Sequence, residues 1–511
     1  MFTAALFFVF VALIVKFLQQ RWIRFQYFKR MGIPGPQPHF LWGHYRELRE
    51  NHVLWEERWK AQYGKTFGVF WGDKPFLITS DPVMAKQVLV RQFSNFVNRA
   101  EQFALERAHP IVQHVVALEK DEHWKRTRLL LSPAFSVAKM KNMISMIEKC
   151  VDEFESNLRK RASGKQFDVY PLIKRLSIDN ICGIIFGIET KLQENPEEDS
   201  VFLRATLKVF EADPHGLLDL ICNSFTSVNN FLSSILYLLQ YLRIVPHVLN
   251  DMIDEVENIV KARRKSPPRK DLMQSLLDHQ QISSDGAPLK ATDAAEDQKA
   301  SFGKTISARL TNEEVVASAI VMFAAGYETT GTATAFTFKC LGSHPDIQRR
   351  LRREINDATR GKPLSYDTVM SLPYLDAVIR ESLRLYPPLT NMIHRVASQD
   401  TEINGLKIPA GLSILFPTKV MHSDEDFWED PNRFDPERFL KKNYDAFTYQ
   451  PFGDGPRNCL GMRFALLTMK LTLCKILPKF EVVATEEPVV EVVRIVCRPA
   501  QLNISVEEIA P

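Results

Sequence analysis

The chain has 511 residues, of which 45% are hydrophobic and 25% charged, the proportions of an ordinary globular protein. A formal net charge of only +4 gives bulk electrostatics no reason to attract nucleic acid. Seven cysteines without regular spacing, and no CxxC pair, argue against a zinc ribbon or a disulfide framework. They suggest reduced thiols in a reducing compartment.

In chain order, residues 2–15 are apolar apart from Thr3, and Phe17 and Leu18 carry the run past Lys16. Arg21, Arg24, Lys29 and Arg30 follow, then Gly32-Ile33-Pro34-Gly35-Pro36, which breaks any helix. A spanning helix needs about 20 apolar residues, so this run is short but usable if Lys16 snorkels. No basic segment precedes it and no small-x-small cleavage site follows, so an uncleaved anchor is favoured over a signal peptide. Positive charge on its C-terminal side keeps the following domain cytoplasmic. The organisation read here is an anchor at 1–20, a basic and proline-rich hinge at 21–36, and one large domain at 37–511.

From residue 34 onward helical patterns dominate. Strand-like stretches fall early (66–71, 75–79) and late (403–408, 413–416, 479–483, 490–495). Helices in the middle with small sheets at the edges predict a mainly α fold. Residues 193–200 read as an acidic loop and 263–270 as a basic, proline-broken linker. Residues 284–305 lack apolar periodicity and read as disordered. A second apolar run at 231–245 suits either a core helix or a surface that dips into a membrane interface.

Four segments carry chemistry. Trp124 and Arg128, four residues apart, share a helical face, and the indole N–H is a donor suited to an anion. Ala325-Gly326-Tyr327-Glu328-Thr329-Thr330 places an acid inside a long apolar helix expected over 313–341, where it is costly unless partnered or working. Thr329 can bond back to a carbonyl four residues earlier, and Gly326 makes room, so a helical bulge is expected there. Glu381 and Arg384 lie on one helical face and can pair. Finally, Phe452-Gly453-Asp454-Gly455-Pro456-Arg457-Asn458-Cys459-Leu460-Gly461 sets one cysteine in a glycine-rich loop before an apolar helix. Glycines let backbone N–H groups approach a metal-bound sulfur, and the helix N-terminus favours a thiolate. No histidine pair has ligand spacing, and there is neither a dinucleotide fingerprint nor a Walker loop.

Phe452, Gly455, Arg457, Cys459 and Gly461 match every fixed position of Phe-x-x-Gly-x-Arg-x-Cys-x-Gly, so the loop resembles the haem-binding signature of the cytochrome P450 family. The other segments resemble that family's motifs in the same order. The resemblance implies haem b with Cys459 as axial thiolate, and propionates held by Trp124, Arg128 and Arg457, joined by Arg395 and Arg99. It implies proton delivery by Glu328 and Thr329, and a structural cluster of Glu381, Arg384 and, from Phe434-Asp435-Pro436-Glu437-Arg438-Phe439, Arg438. The apolar pocket would draw on residues 103–116, Phe323, Ala324 and 389–393. Lys125 and Arg126 would face away from haem as a dock for an acidic reductase.

The protein so implied is a microsomal monooxygenase, anchored once in the endoplasmic reticulum membrane with its catalytic domain in the cytoplasm. Its electrons would come from NADPH–cytochrome P450 reductase, with cytochrome b5 a second donor, and its substrates would be small apolar xenobiotics, steroids or fatty acids. The details look closest to the animal clan of drug- and steroid-oxidising enzymes. Two rivals are a haem-thiolate isomerase or dehydratase of lipid peroxides, and a non-enzymatic haem-binding protein. An intact Glu328–Thr329 pair argues against the isomerase.

Overall fold

The computed structural model describes residues 2–100, 111–195, 200–206, 217–244, 249–269, 271–282, 310–360, 363–485, 487, 489 and 491–509. The expected disordered stretch 284–305 lies outside them, as do 103–110 of the expected pocket and 196–199 of the acidic loop. The chain divides into two compact units, one of Met1–Pro110, Asp213–Val245 and Asn391–Met421, the other of Ile111–Ala212, Pro246–Thr390 and His422–Pro511.

The first unit is built on a four-stranded sheet in the order Thr66–Trp71, Lys74–Thr79, Ser413–Leu415, His394–Val396. The outer pairs are antiparallel and the central pair, with Leu77 opposite Ile414, is parallel. Alternating residues Phe67 and Val69 point to the core, where they meet Leu48 and Trp59 of the helix Tyr45–Tyr63. The single strand expected at 403–408 is instead a hairpin of Thr401–Ile403 with Leu406–Ile408. Asn404 and Gly405 both take positive φ, 53° and 79°, which is the two-residue turn that reverses a strand.

The N-terminal apolar run forms the helix Phe2–Phe25. Among the described residues no helix is long and apolar enough to cross a membrane. The second apolar run forms the helix Thr226–Tyr241. Phe231, Leu238 and Tyr241 on it are more than half exposed, so it is no core helix. Arg21 ties the end of the first helix to this region: it donates to the Ser224 carbonyl at 3.0 Å and lies 4.6 Å over the Phe225 ring.

His44 and His52 are buried in this unit, and desolvation holds each at about 4. A base held below its free value is folded in neutral form. Its contribution is present above the unfolded value of 6.5 and is lost as pH falls toward 4. At about 1.4 kcal/mol per unit the loss approaches ~3 kcal/mol for each histidine. We expect His52→Leu to lose much less stability than the wild type between pH 6.5 and 4 in urea unfolding. Equal losses in the two proteins would mean that His52 does not titrate on unfolding.

The second unit is helical. The helices Val137–Arg159, Tyr170–Phe186, Asn312–Gly342 and Met462–Ile476 share one apolar core. Its small sheets are Phe167–Asp168 with Asn503–Glu508 and Phe480–Ala484, and the hairpin Glu491–Val493 with Cys497–Pro499. Thr311 and Glu314 start the longest helix with a reciprocal capping box. From Thr330 to Gly342 all of its residues are buried, the threonines at 334 and 337 bonding back to carbonyls four residues earlier. The linker read at 263–270 begins later than expected. Arg263 belongs to the helix Asn250–Arg264 and is buried, with both Asp271 oxygens within 2.8 Å of its Nη2.

Candidate active site

The second unit gathers most of the chemical segments around the cysteine loop. The loop is a chain of turns closed by Gly453 N to Gln450 O (3.1 Å) and Asn458 N to Gly455 O (3.0 Å). Gly453 and Gly455 take φ of 68° and 69°, a region open to glycine at little cost. Cys459 N then donates to Phe452 O at 2.8 Å, and Gly461 caps the helix Met462–Ile476. Cys459 therefore stands at the positive end of a helix. None of the seven cysteines is in a disulfide, and Cys459 alone is exposed.

The helix Asp121–Leu131 docks on this loop through both of its motif residues. Arg128 Nη2 donates to Asn458 Oδ1 at 2.7 Å. The buried Arg457 guanidinium lies 4.3 Å over the Trp124 ring and donates to the Glu119 carbonyl at 2.5 Å. Lys125 and Arg126 do not form the expected free dock. Lys125 pairs with Glu122 at 2.6 Å, Arg126 pairs with Glu314, and both side chains are about four-fifths buried.

Glu328 is buried on the long helix. Its Oε1 accepts from the Tyr170 hydroxyl at 2.9 Å, and the Tyr170 oxygen lies 3.0 Å from Thr332 Oγ1. Glu328 Oε2 has no hydrogen-bond partner among the described residues. Thr329 is half-buried, and its Oγ1 donates to the Ala325 carbonyl at 2.6 Å. The expected back-bond thus forms, but no bulge accompanies it, and the helix runs unbroken from Asn312 to Gly342. Gly326 has another cause: a Cβ there would stand 2.7 Å from Ile181 Cδ1, so the glycine lets two helices approach. Burial, with the nearby Glu328 carboxylate as the lesser cause, raises the Tyr170 hydroxyl well above its usual range.

Glu381 and Arg384 are fully buried and bidentate, with Nε–Oε2 and Nη2–Oε1 both at 2.8 Å. Arg438 Nε joins at 3.4 Å from Glu381 Oε1, and the Asp435 amide donates to the same oxygen at 2.9 Å. Arg384 also donates to the carbonyls of His422, Pro431 and Arg433. The cluster thereby pins the segment that leads into the cysteine loop. His422, which no sequence signal singled out, locks it further: its Nε2 accepts from Gln450 N at 2.9 Å and its Nδ1 lies 3.2 Å from the Arg384 carbonyl.

Arg99 and Arg395 belong to the first unit, where Ala100 N donates to His394 Nδ1 at 3.0 Å. Arg395 is 1% exposed, donates to the His394 carbonyl at 2.8 Å, and its Nε has no hydrogen-bond partner among the described residues. Burial, then the charge of Arg99, push its guanidinium well below its usual range. A buried cation beside another cation is costly without an anion.

These observations fit a haem. In the first unit Arg395 calls for an anion such as a propionate, and in the second Arg457 and Arg128 bring charged donors to the cysteine loop. Beside Cys459, a Cβ on Gly461 would meet no closer atom than Phe135 Cε1 at 4.0 Å, so the glycine keeps open a space that the protein does not fill. Within the second unit, an exposed thiol at a helix head, the buried Arg457 and a Glu–Thr pair in a long helix suit a haem held by a thiolate.

The Cytochrome P450 family model matches residues 33–504. Cytochrome P450 3A16 of Mus musculus is 36% identical over 460 residues, 89% of this chain and 86% of that protein. Lithocholate 6-beta-hydroxylase of Mesocricetus auratus is 35% identical over 467 residues, 90% and 87% of the two chains. Cytochrome P450 3A7 of Homo sapiens is 35% identical over 461 residues, 89% and 86%. The chain belongs to the cytochrome P450 family and is a monooxygenase that binds haem b through a cysteine thiolate.

Proposed function

We propose that this monooxygenase hydroxylates small apolar substrates of steroid size, with electrons from NADPH–cytochrome P450 reductase and cytochrome b5 as a second donor. Cys459 would ligate the haem iron through its thiolate, and Trp124, Arg128 and Arg457, with Arg99 and Arg395, would hold the propionates. Bound haem supplies the oxygen chemistry, tuned by its thiolate. The residues supply protons and exclude water. Thr329 presents a half-buried hydroxyl, and Glu328 beside it keeps one oxygen without a protein partner. That buried, unpartnered oxygen is the observation that carries the reading, because such an atom is normally matched by water or by a working proton. It also argues against an isomerase, which needs no proton relay. One relative is by name a lithocholate hydroxylase, which supports a steroid-like substrate class.

The same reading puts the protein at the endoplasmic reticulum membrane through the apolar run at 1–20, with the domain at 37–511 in the cytoplasm; it rests on the sequence pattern, since no helix among the described residues is long and apolar enough to cross a membrane. The exposed aromatic and aliphatic side chains Phe231, Leu238, Tyr241 and Ile244 support a second contact with lipid, where apolar substrates partition.

The test is NADPH oxidation by the holoenzyme over a panel of steroids, with and without reductase. The expected result is consumption only with reductase and a product carrying one added oxygen. Turnover of lipid hydroperoxides without reductase, and no NADPH use with it, would establish the isomerase instead.

A further inference from the structure

Away from the thiolate loop, three ligand-type side chains meet within the second unit. His114 ends the short helix Val112–His114, Glu119 precedes the helix Asp121–Leu131, and Glu314 lies in the first turn of the long helix. One ligand atom of each lies within 4.8 Å of the other two. Glu119 is 7% exposed, and its Oε2 has no hydrogen-bond partner among the described residues. An oxygen so buried should have a donor or a cation. Glu314 is held rigidly, with Oε2 accepting from Thr311 N at 2.8 Å and Oε1 turned to Arg126. The charges that face the cluster are the carboxylates of Glu119, Glu314 and Glu313 against the guanidinium groups of Arg126 and Arg457. His114 is half-buried and gives access from solvent.

We propose that His114, Glu119 and Glu314 form a binding site for a divalent transition cation with the ligand preferences of zinc, which replaces Arg126 at Glu314. One imidazole and two carboxylates are a zinc-type donor set that leaves a fourth position for water. Ligands at about 2.0–2.2 Å from zinc stand roughly 3.4 Å apart, so the three side chains close by about 1 Å as Arg126 leaves. The site reaches the haem side through one bond. The carbonyl of Glu119 accepts from Arg457, so a cation on Glu119 stiffens the segment that orients Arg457. That coupling rests on the propionate role given to Arg457, whereas cation binding itself does not.

The experiment is calorimetric titration of untagged holoenzyme with Zn2+, and separately with Mg2+, which prefers an all-oxygen, water-rich shell. One Zn2+ per chain is expected, bound at least tenfold tighter than Mg2+. His114→Ala should weaken Zn2+ at least tenfold while haem content stays at the wild-type level, and Zn2+ should raise the Tm of the wild type more than that of His114→Ala. Glu119→Gln should weaken Zn2+ similarly. Arg126→Gln should bind Zn2+ more tightly, because the competing cation is gone. No Zn2+ binding, equal Mg2+ binding, or unchanged affinity in His114→Ala or Arg126→Gln would overturn the site. None of these outcomes depends on the oxygenase activity.

Discussion

Glu381→Ala is expected to give a chain that does not retain haem and unfolds several degrees below the wild type. Glu381 accepts both forks of Arg384 and the Asp435 amide, and the Arg438 guanidinium adds an ion pair at 3.4 Å; Glu381 and Arg384 themselves have no access to water. Removing the carboxylate leaves Arg384 charged and wholly buried. Breaking a buried pair in this way typically costs about 3–5 kcal/mol. The loss is also local in a way that matters for function. Arg384 holds the carbonyls of His422, Pro431 and Arg433, and His422 in turn fixes Gln450, two residues before Phe452. Slackening that segment loosens the loop that presents Cys459. Glu381→Gln should be milder but still unstable, since an amide cannot accept from two guanidinium nitrogens and the Asp435 amide at once. The measurement is the ratio of haem absorbance to protein, with thermal unfolding alongside. Normally folded holoprotein in Glu381→Ala would show that the cluster does not hold the loop.

Much of this was legible in the sequence because the chemistry is local. The cysteine loop, Trp124 with Arg128, and Glu381 with Arg384 each lie within one turn or one loop, where spacing fixes which side chains share a face. What spacing cannot give is the partner from another element. Arg457 over Trp124 joins residues 333 positions apart. Arg126 on Glu314 removed a dock that the charges alone suggested. His114, Glu119 and Glu314 have no ligand spacing at all and meet only through folding. Gly326 was read for the space it opens in its own helix, whereas its neighbour Ile181 explains it. The split of 403–408 into two strands follows from Asn404-Gly405, a strong hairpin signal across which the single-strand reading ran.

Cys459→His should show the opposite pattern from Glu381→Ala: stability kept, chemistry lost. Cys459 is the exposed cysteine, its amide bond to Phe452 O is a backbone contact, and the loop's glycines are untouched by the change. Exposed substitutions of this kind usually move stability by less than about 1 kcal/mol. The thermal midpoint of the apoprotein should therefore barely shift. The reduced, carbon-monoxide difference spectrum should change completely. A thiolate donates electron density that an imidazole does not, so the red-shifted Soret band expected of the wild type should vanish, together with reductase-dependent NADPH use. Arg395, Arg457 and Trp124 are intact in this variant, so haem can still be taken up, and the two mutants separate the axial ligand from the surrounding scaffold. A wild-type protein that binds haem without the red-shifted band would show that Cys459 is not the ligand. The proton role given to Glu328 and Thr329 would then lose its reactive centre.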